Sequence, residues 1–181
     1  MDYYFTIDSS GEAEFKDRGS KFLAFAFPIK NKDDFKNHLQ TLKKEHPKAT
    51  HHCFAYRIGF DKNDFRVSDD GEPSGTAGKQ ILAQIDSKNL SDILVIVARY
   101  FGGTLLGVPG LINAYKTTSV LALQCTHIVQ KYIEEDYSLQ FNYTEMNDVM
   151  QILKQYNCTI HKNEMQLFCH VETGIPKYRL T

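Results

Sequence analysis

Between positions 69 and 79 the chain reads Asp69-Asp70-Gly71-Glu72-Pro73-Ser74-Gly75-Thr76-Ala77-Gly78-Lys79, three carboxylates followed by a glycine-rich run into a helix. Carboxylates suit Mg²⁺ and the N–H groups at a helix start suit phosphate, so the segment has the chemistry to hold a metal-bound phosphate. It is not a nucleotide-binding P-loop, because Pro73 stands at the first glycine position and Gln80 at the hydroxyl position. A competing reading is a tight solvated turn in which Ser74 or Thr76 caps the helix. A second glycine-rich strand-to-helix connection, Arg99-Tyr100-Phe101-Gly102-Gly103, is followed by Gly107 and Gly110. Its backbone N–H groups suit an anion and Arg99 adds fixed charge, although the spacing is not that of a dinucleotide fingerprint. Here the alternative is a close turn over the sheet, with Arg99 paired to Asp69 or Asp70.

His51-His52-Cys53 invites a metal reading, but strand alternation turns His52 away from the other two and leaves only two ligands on a face. His51 as a general base would need a nucleophile from Ser68, Ser74 or Thr76, and no signature of their activation is present. The four cysteines, Cys53, Cys125, Cys158 and Cys169, include no C-x-x-C pair, so reduced thiols are expected.

Mixed α and β elements must position these groups. Phe22 to Ile29 alternates as a strand, Asn31 is placed to cap the next helix, and Pro47 to end it. His51 to Gly59 reads as a strand with His52, Phe54, Tyr56 and Ile58 on a core face and His51, Cys53 and Arg57 on an available one. Phe65 to Asp70 forms a second such strand, and Ile81, Leu82 and Ile85 mark a helix. The uniformly apolar run Ile93 to Ala98 is expected as a central strand covered on both sides. A buried helix runs from near Pro109 to about Cys125. Beyond it, Tyr137 to Tyr143 reads as strand, Glu145 to Tyr156 as helix, and Cys158 to His161 with Gln166 to Val171 as a hairpin. A two-residue turn at Asn163 and Glu164 would set Cys158 opposite Cys169.

The 181 residues allow one large domain or two small ones. No signal-peptide pattern and no apolar run of roughly 20 residues is seen, so a cytoplasmic chain without a membrane span is expected. The net charge of −1 divides into +1 before residue 130 and −2 after it, so any nucleic-acid face must be local.

Several segments together resemble the IMPACT/YigZ family: Ser20-Lys21-Phe22, Ala49 through Arg57, Asp69 through Gly78, Arg99 through Gly103, and Leu106-Gly107. The resemblance, over about residues 15 to 125, implies an α+β protein of two domains in the manner of the family's bacterial branch. Residues 1–130 would form an IMPACT N-terminal-like domain similar to the second domain of small-subunit ribosomal protein five, a mixed sheet with helices on one side. Residues 131–181 would form a ferredoxin-like domain similar to domain V of elongation factor G, incomplete because too few residues follow the third strand. The family's glycine pair before the last helix of the first domain appears as Pro109-Gly110 and its frequent arginine as Asn113, which weakens an anion site there. Eukaryotic relatives regulate a stress-activated initiation-factor kinase by competing for its co-activator, so the resemblance implies a translation-linked binding or regulatory role. RNA, the ribosome or a translation-regulatory protein would be the partner, no cofactor is required, and a ligand face is expected from His51, Arg57, Asp69, Asp70, Glu72, Ser74, Thr76, Lys79, Arg99, Gly102 and Gly103. The alternative is a metal-dependent enzyme, with Mg²⁺ on the Asp69 to Glu72 segment, acting on a phosphorylated or peptide substrate.

Overall fold

A computed structural model describes residues 2–180 as an α+β chain in two compact units, one of residues 5–130 and one of residues 2–4 with 131–180. In the larger unit, strands β2 (Gly11–Asp17), β3 (Ser20–Pro28), β4 (His51–Ile58), β5 (Asp64–Ser68) and β6 (Ile93–Tyr100) form a five-stranded sheet in the order β2-β3-β6-β4-β5. The expected mixed sheet is corrected: each of its four pairings is antiparallel. Strands β1 (Tyr3–Ile7) and β7 (Ile128–Tyr132) form a separate two-stranded sheet.

The sheet carries helices on both faces rather than one, because its three central strands are apolar on both sides. Ala24 and Ala26 of β3, Cys53 and Ala55 of β4, and Ile93, Val95 and Val97 of β6 pack with Ile81 and Ile85 of α2 (Gly78–Ser87) and with Leu111, Ala114 and Tyr115 of α3 (Gly107–Gln124). On the other face Phe54, Tyr56, Leu94 and Ile96 meet Phe35 and Leu42 of α1 (Lys32–Glu45). The β4 face read as available is therefore the inner wall of a core, with Cys53 and Ala55 fully buried. Truncating one of these larger side chains to alanine would cost about 2–5 kcal/mol. Helix α1 starts as its sequence dictates, with the Asn31 side chain accepting from the Asp34 N–H at 2.9 Å, and it stops at His46 before Pro47.

Gly102 lies against the backbone of Gly19 and Ser20 so closely that a Cβ there would overlap main-chain atoms. This contact brings the β2–β3 turn and the β6–α3 connection together at one end of the sheet.

In the smaller unit β8 (Glu134–Phe141), β9 (Thr159–Met165) and β10 (Cys169–Pro176) form a three-stranded sheet, β8-β10-β9, in which β10 lies antiparallel between the other two, and α4 (Met146–Gln155) connects β8 to β9. That is a split β-α-β arrangement. The hairpin register is corrected. Asn163 and Glu164 lie within β9, opposite Val171 and His170, and Cys169 faces Met165 rather than Cys158. Neither Asn163-Glu164 residue is glycine, which a two-residue turn with positive φ favours, and the reversal falls instead at Gln166–Phe168. All four cysteines are free.

Candidate functional site

The residues with chemical potential converge where β6 ends and β4 begins. The registers His51↔Arg99 and Phe22↔Arg99 place Arg99 between β3 and β4, and the segment after β5 folds over this end of the sheet. Glu72 reaches inward, and its side chain and that of Arg99 are 3% and 5% exposed. Arg99 Nη1 donates to Glu72 Oε1 at 2.6 Å, and the Tyr115 hydroxyl donates to the same oxygen at 2.6 Å. Arg99 Nη2 donates to Ser20 Oγ at 3.2 Å, an oxygen that also accepts the Gly102 N–H at 3.3 Å. Beside the guanidinium lie the rings of Phe22 and Phe101, with centroids at 5.4 and 5.6 Å. Arg99 is thus paired with Glu72, and the expected pairing with Asp69 or Asp70 is corrected.

Those two aspartates hold the loop to itself. Asp69 Oδ1 accepts the N–H groups of Ala77 at 3.1 Å and Gly78 at 2.9 Å, and its Oδ2 accepts that of Gly75 at 3.0 Å. The place that a phosphate would take at the start of α2 is filled by the chain's own carboxylate. Neither Ser74 nor Thr76 caps the helix. Ser74 is exposed, and the buried Thr76 hydroxyl donates to the Pro73 carbonyl at 2.6 Å. Asp70 Oδ2 accepts the His52 N–H at 2.6 Å, and the Asp70 carbonyl lies 2.7 Å from His51 Nδ1. The other ring nitrogen of His51, Nε2, lies 3.7 Å from Glu72 Oε1. Among the described residues no group of three His, Cys, Asp or Glu side chains is placed to hold a metal ion.

Two further groups complete the cluster. The Cys53 thiol lies 3.1 Å from the Asp69 carbonyl and 3.3 Å from the Tyr115 hydroxyl. Burial pushes Cys53 well up and Tyr115 further still, and the neighbouring Cys53 and Glu72 add to the shift at Tyr115. Neither supplies an anionic nucleophile at neutral pH.

The structure therefore gathers His51, Asp69, Asp70, Glu72 and Arg99, with Gly102 beside them. Arg57 is elsewhere, six residues along β4 and about 20 Å away. It grips Asp86 through Nε at 2.6 Å and Nη2 at 3.0 Å and donates through Nη1 to the Lys62 carbonyl at 2.7 Å. The structure does not bring Arg57 together with Arg99. Lys79 lies exposed on the first turn of α2, and Gly103 is exposed with φ +88°. Sequence reasoning missed the roles of Ser20 and Tyr115. A tyrosine on an otherwise apolar helix was the available signal for the latter, since a buried phenol takes a hydrogen-bond partner.

The cluster's donors and acceptors are spent largely on one another, and they tie the loop after β5 to β3, β6 and α3. What reaches solvent around this clamp is the β6–α3 connection, with Phe101 48% and Leu105 84% exposed.

The family model described as "Impact N-terminal domain" matches residues 18–123. IMPACT family member YvyE of Bacillus subtilis is 34% identical over 152 residues, covering 84% of this chain and 70% of that one. Protein IMPACT of Rattus norvegicus is 35% identical over 98 residues, 52% of this chain and 31% of its own. The crystal structure of a hypothetical protein overlays with a TM-score of 0.79 at 30% identity, covering 99% of this chain and 88% of the other.

Proposed function

Because the chain belongs to the Impact N-terminal domain family, we propose that it works by binding, as a translation-linked regulator, and not through an active site of its own. One observation carries this reading: the acids and bases that a catalytic account would recruit are committed to holding the loop after β5. Glu72 is shared by Arg99 and Tyr115, and Asp69 is taken up by three backbone N–H groups. The network makes a rigid end to the sheet from which neighbouring loops project, and rigid scaffolds with exposed loops are where binding surfaces are usually built. The partner in this proposal is RNA, the ribosome or a translation-regulatory protein, the role that the family resemblance implies.

The test is capture of partners by the whole chain from a lysate, with RNA sequencing and mass spectrometry, together with co-sedimentation with ribosomes. Enrichment of ribosomes, RNA or translation factors is expected. Recovery of none of these, or turnover of a phosphorylated or peptide substrate that is lost in an Asp70→Asn variant, would overturn the proposal.

A further inference from the structure

With Arg57 and Arg99 held in ion pairs, a partner rich in phosphate has to be met by other cations. Lys21, Lys43, Lys44 and Lys48 form no ion pair among the described residues, and the fold brings all four to the end of the sheet where β6 finishes. Lys21 is paired across β3 and β6 with Tyr100, and its Nζ lies 5.9 Å from the centre of that ring. On the other side of β6 the α1–β4 connection is tied in by the Thr50 N–H to the Arg99 carbonyl at 2.7 Å and the Phe101 N–H to Thr50 Oγ1 at 3.3 Å. That connection carries Lys48, and it follows the last turn of α1 with Lys43 and Lys44, all three exposed. His46, between them, meets the Tyr100 hydroxyl at 2.8 Å. Of the carboxylates nearby, Glu45 is exposed and Asp70 accepts the His52 N–H.

Cations thus flank two consecutive aromatic residues. The Phe101 ring has the Arg99 guanidinium 5.6 Å from its centre and is still 48% exposed. A ring held in this way is a stacking platform, and lysines around it supply charge for a sugar–phosphate backbone. An exposed ring stacks on unpaired bases, whereas duplex bases hide their faces in the helix.

We infer that this end of the sheet, Lys21, Lys43, Lys44 and Lys48 around Tyr100 and Phe101, is a binding surface for single-stranded RNA. The inference rests on the binding role proposed above and adds to it the class of partner and the residues that meet it.

Fluorescence anisotropy with a short labelled oligoribonucleotide, titrated over a range of salt, tests it on the whole chain. Four cations neutralising one phosphate each predict a slope of log K against log salt of about −3 for a single strand. The combined variant Lys43→Gln, Lys44→Gln, Lys48→Gln, on exposed positions, is expected to reduce that slope to about −1. Phe101→Ala should weaken binding about tenfold with little change of slope, because it removes stacking and no charge. Urea unfolding of each variant verifies that the fold is intact. The inference is overturned if the oligoribonucleotide binds no tighter than about 10⁻⁴ M at low salt, or if the triple-lysine variant keeps the wild-type slope. Ribosome co-sedimentation runs alongside to separate the two claims. Its persistence without oligoribonucleotide binding sinks the RNA surface alone, and if the lysine variant then also loses a captured protein, the patch is a protein contact instead. Loss of all binding in the wild-type chain removes both claims.

Discussion

The clamp at Glu72 makes the strongest quantitative demand on the structure. Replacing Glu72 with leucine leaves the Arg99 charge buried with only the Ser20 hydroxyl to answer it, and it strands the Tyr115 hydroxyl. Both Glu72 and Arg99 side chains are almost fully buried, so solvent cannot make good the loss. Removing one partner of a buried ion pair costs about 3–5 kcal/mol. For a unit of this size that corresponds to a fall in Tm of roughly 10–25 °C, taking about 3–5 °C per kcal/mol. Tyr115→Phe removes the hydrogen bond to Glu72 and the weak one from the Cys53 thiol but leaves the ion pair, so its cost should be about 1–2 kcal/mol. The combined variant Glu72→Leu, Arg99→Met, Tyr115→Phe removes the buried charge and the phenol together and should be less destabilised than Glu72→Leu alone. Urea unfolding at neutral pH, comparing midpoints at unchanged m, reads all three. If Glu72→Leu costs no more than Tyr115→Phe, or the triple variant costs the sum of its parts, the buried charge pair is not what holds this end of the sheet.

Asp69→Ala should cost about 2 kcal/mol, since three backbone N–H groups lose their acceptor, with Asp69→Asn about half as costly; urea midpoints measure both. Iodoacetamide on the native chain should label exposed Cys125 first and leave Cys53 unmodified until denaturant is added, because burial keeps the Cys53 thiol protonated; peptide mass spectrometry assigns the sites. Burial lowers His52, against the pull of its bond to the His46 carbonyl, and it lowers His38 as well, against the charge of Asp34. The unfolded chain therefore takes up these protons first, so their contribution to stability is full above the usual histidine value of about 6.5 and declines as the pH falls below it. The urea midpoint should drop between about pH 7.5 and 5.5, and His52→Gln should flatten that dependence.

Local pattern made much of the larger unit legible. The apolar run from Ile93 to Ala98 is the middle strand of its sheet, Asn31 and His46 before Pro47 bound α1, and Ile81 with Ile85 marks the buried side of α2. These signals are local because alternation and helical period are properties of a few neighbouring residues. The strands at Tyr3–Ile7 and Gly11–Asp17 were not read, although Phe5 and Ile7 alternate in the first and Ala13 and Phe15 in the second. The apolar run of β6 announces cover on both faces, whereas the family resemblance implies helices on one side only, and Cys53 and Ala55 are too small to announce the core on their side of β4.

The motif Asp69 through Gly78, together with the other matching segments, carries the family resemblance, but which carboxylate does what was decided only by the tertiary structure. Glu72 and Arg99 stand 27 positions apart, and Glu72 and Tyr115 stand 43 apart. Periodicity could place Tyr115 inside a helix packing face, but the oxygen its hydroxyl meets depends on how the loop after β5 crosses α3. Arg57 and Arg99 look alike in sequence, each on an alternating strand, yet one end of the sheet gives Arg57 the Asp86 carboxylate and the other gives Arg99 a buried glutamate. Sequence determines the elements because their hydrogen bonds and apolar faces are set by near neighbours. Charge pairing is settled by distance in space, because the energy of an ion pair depends on separation and burial that only the assembled sheet and helices define.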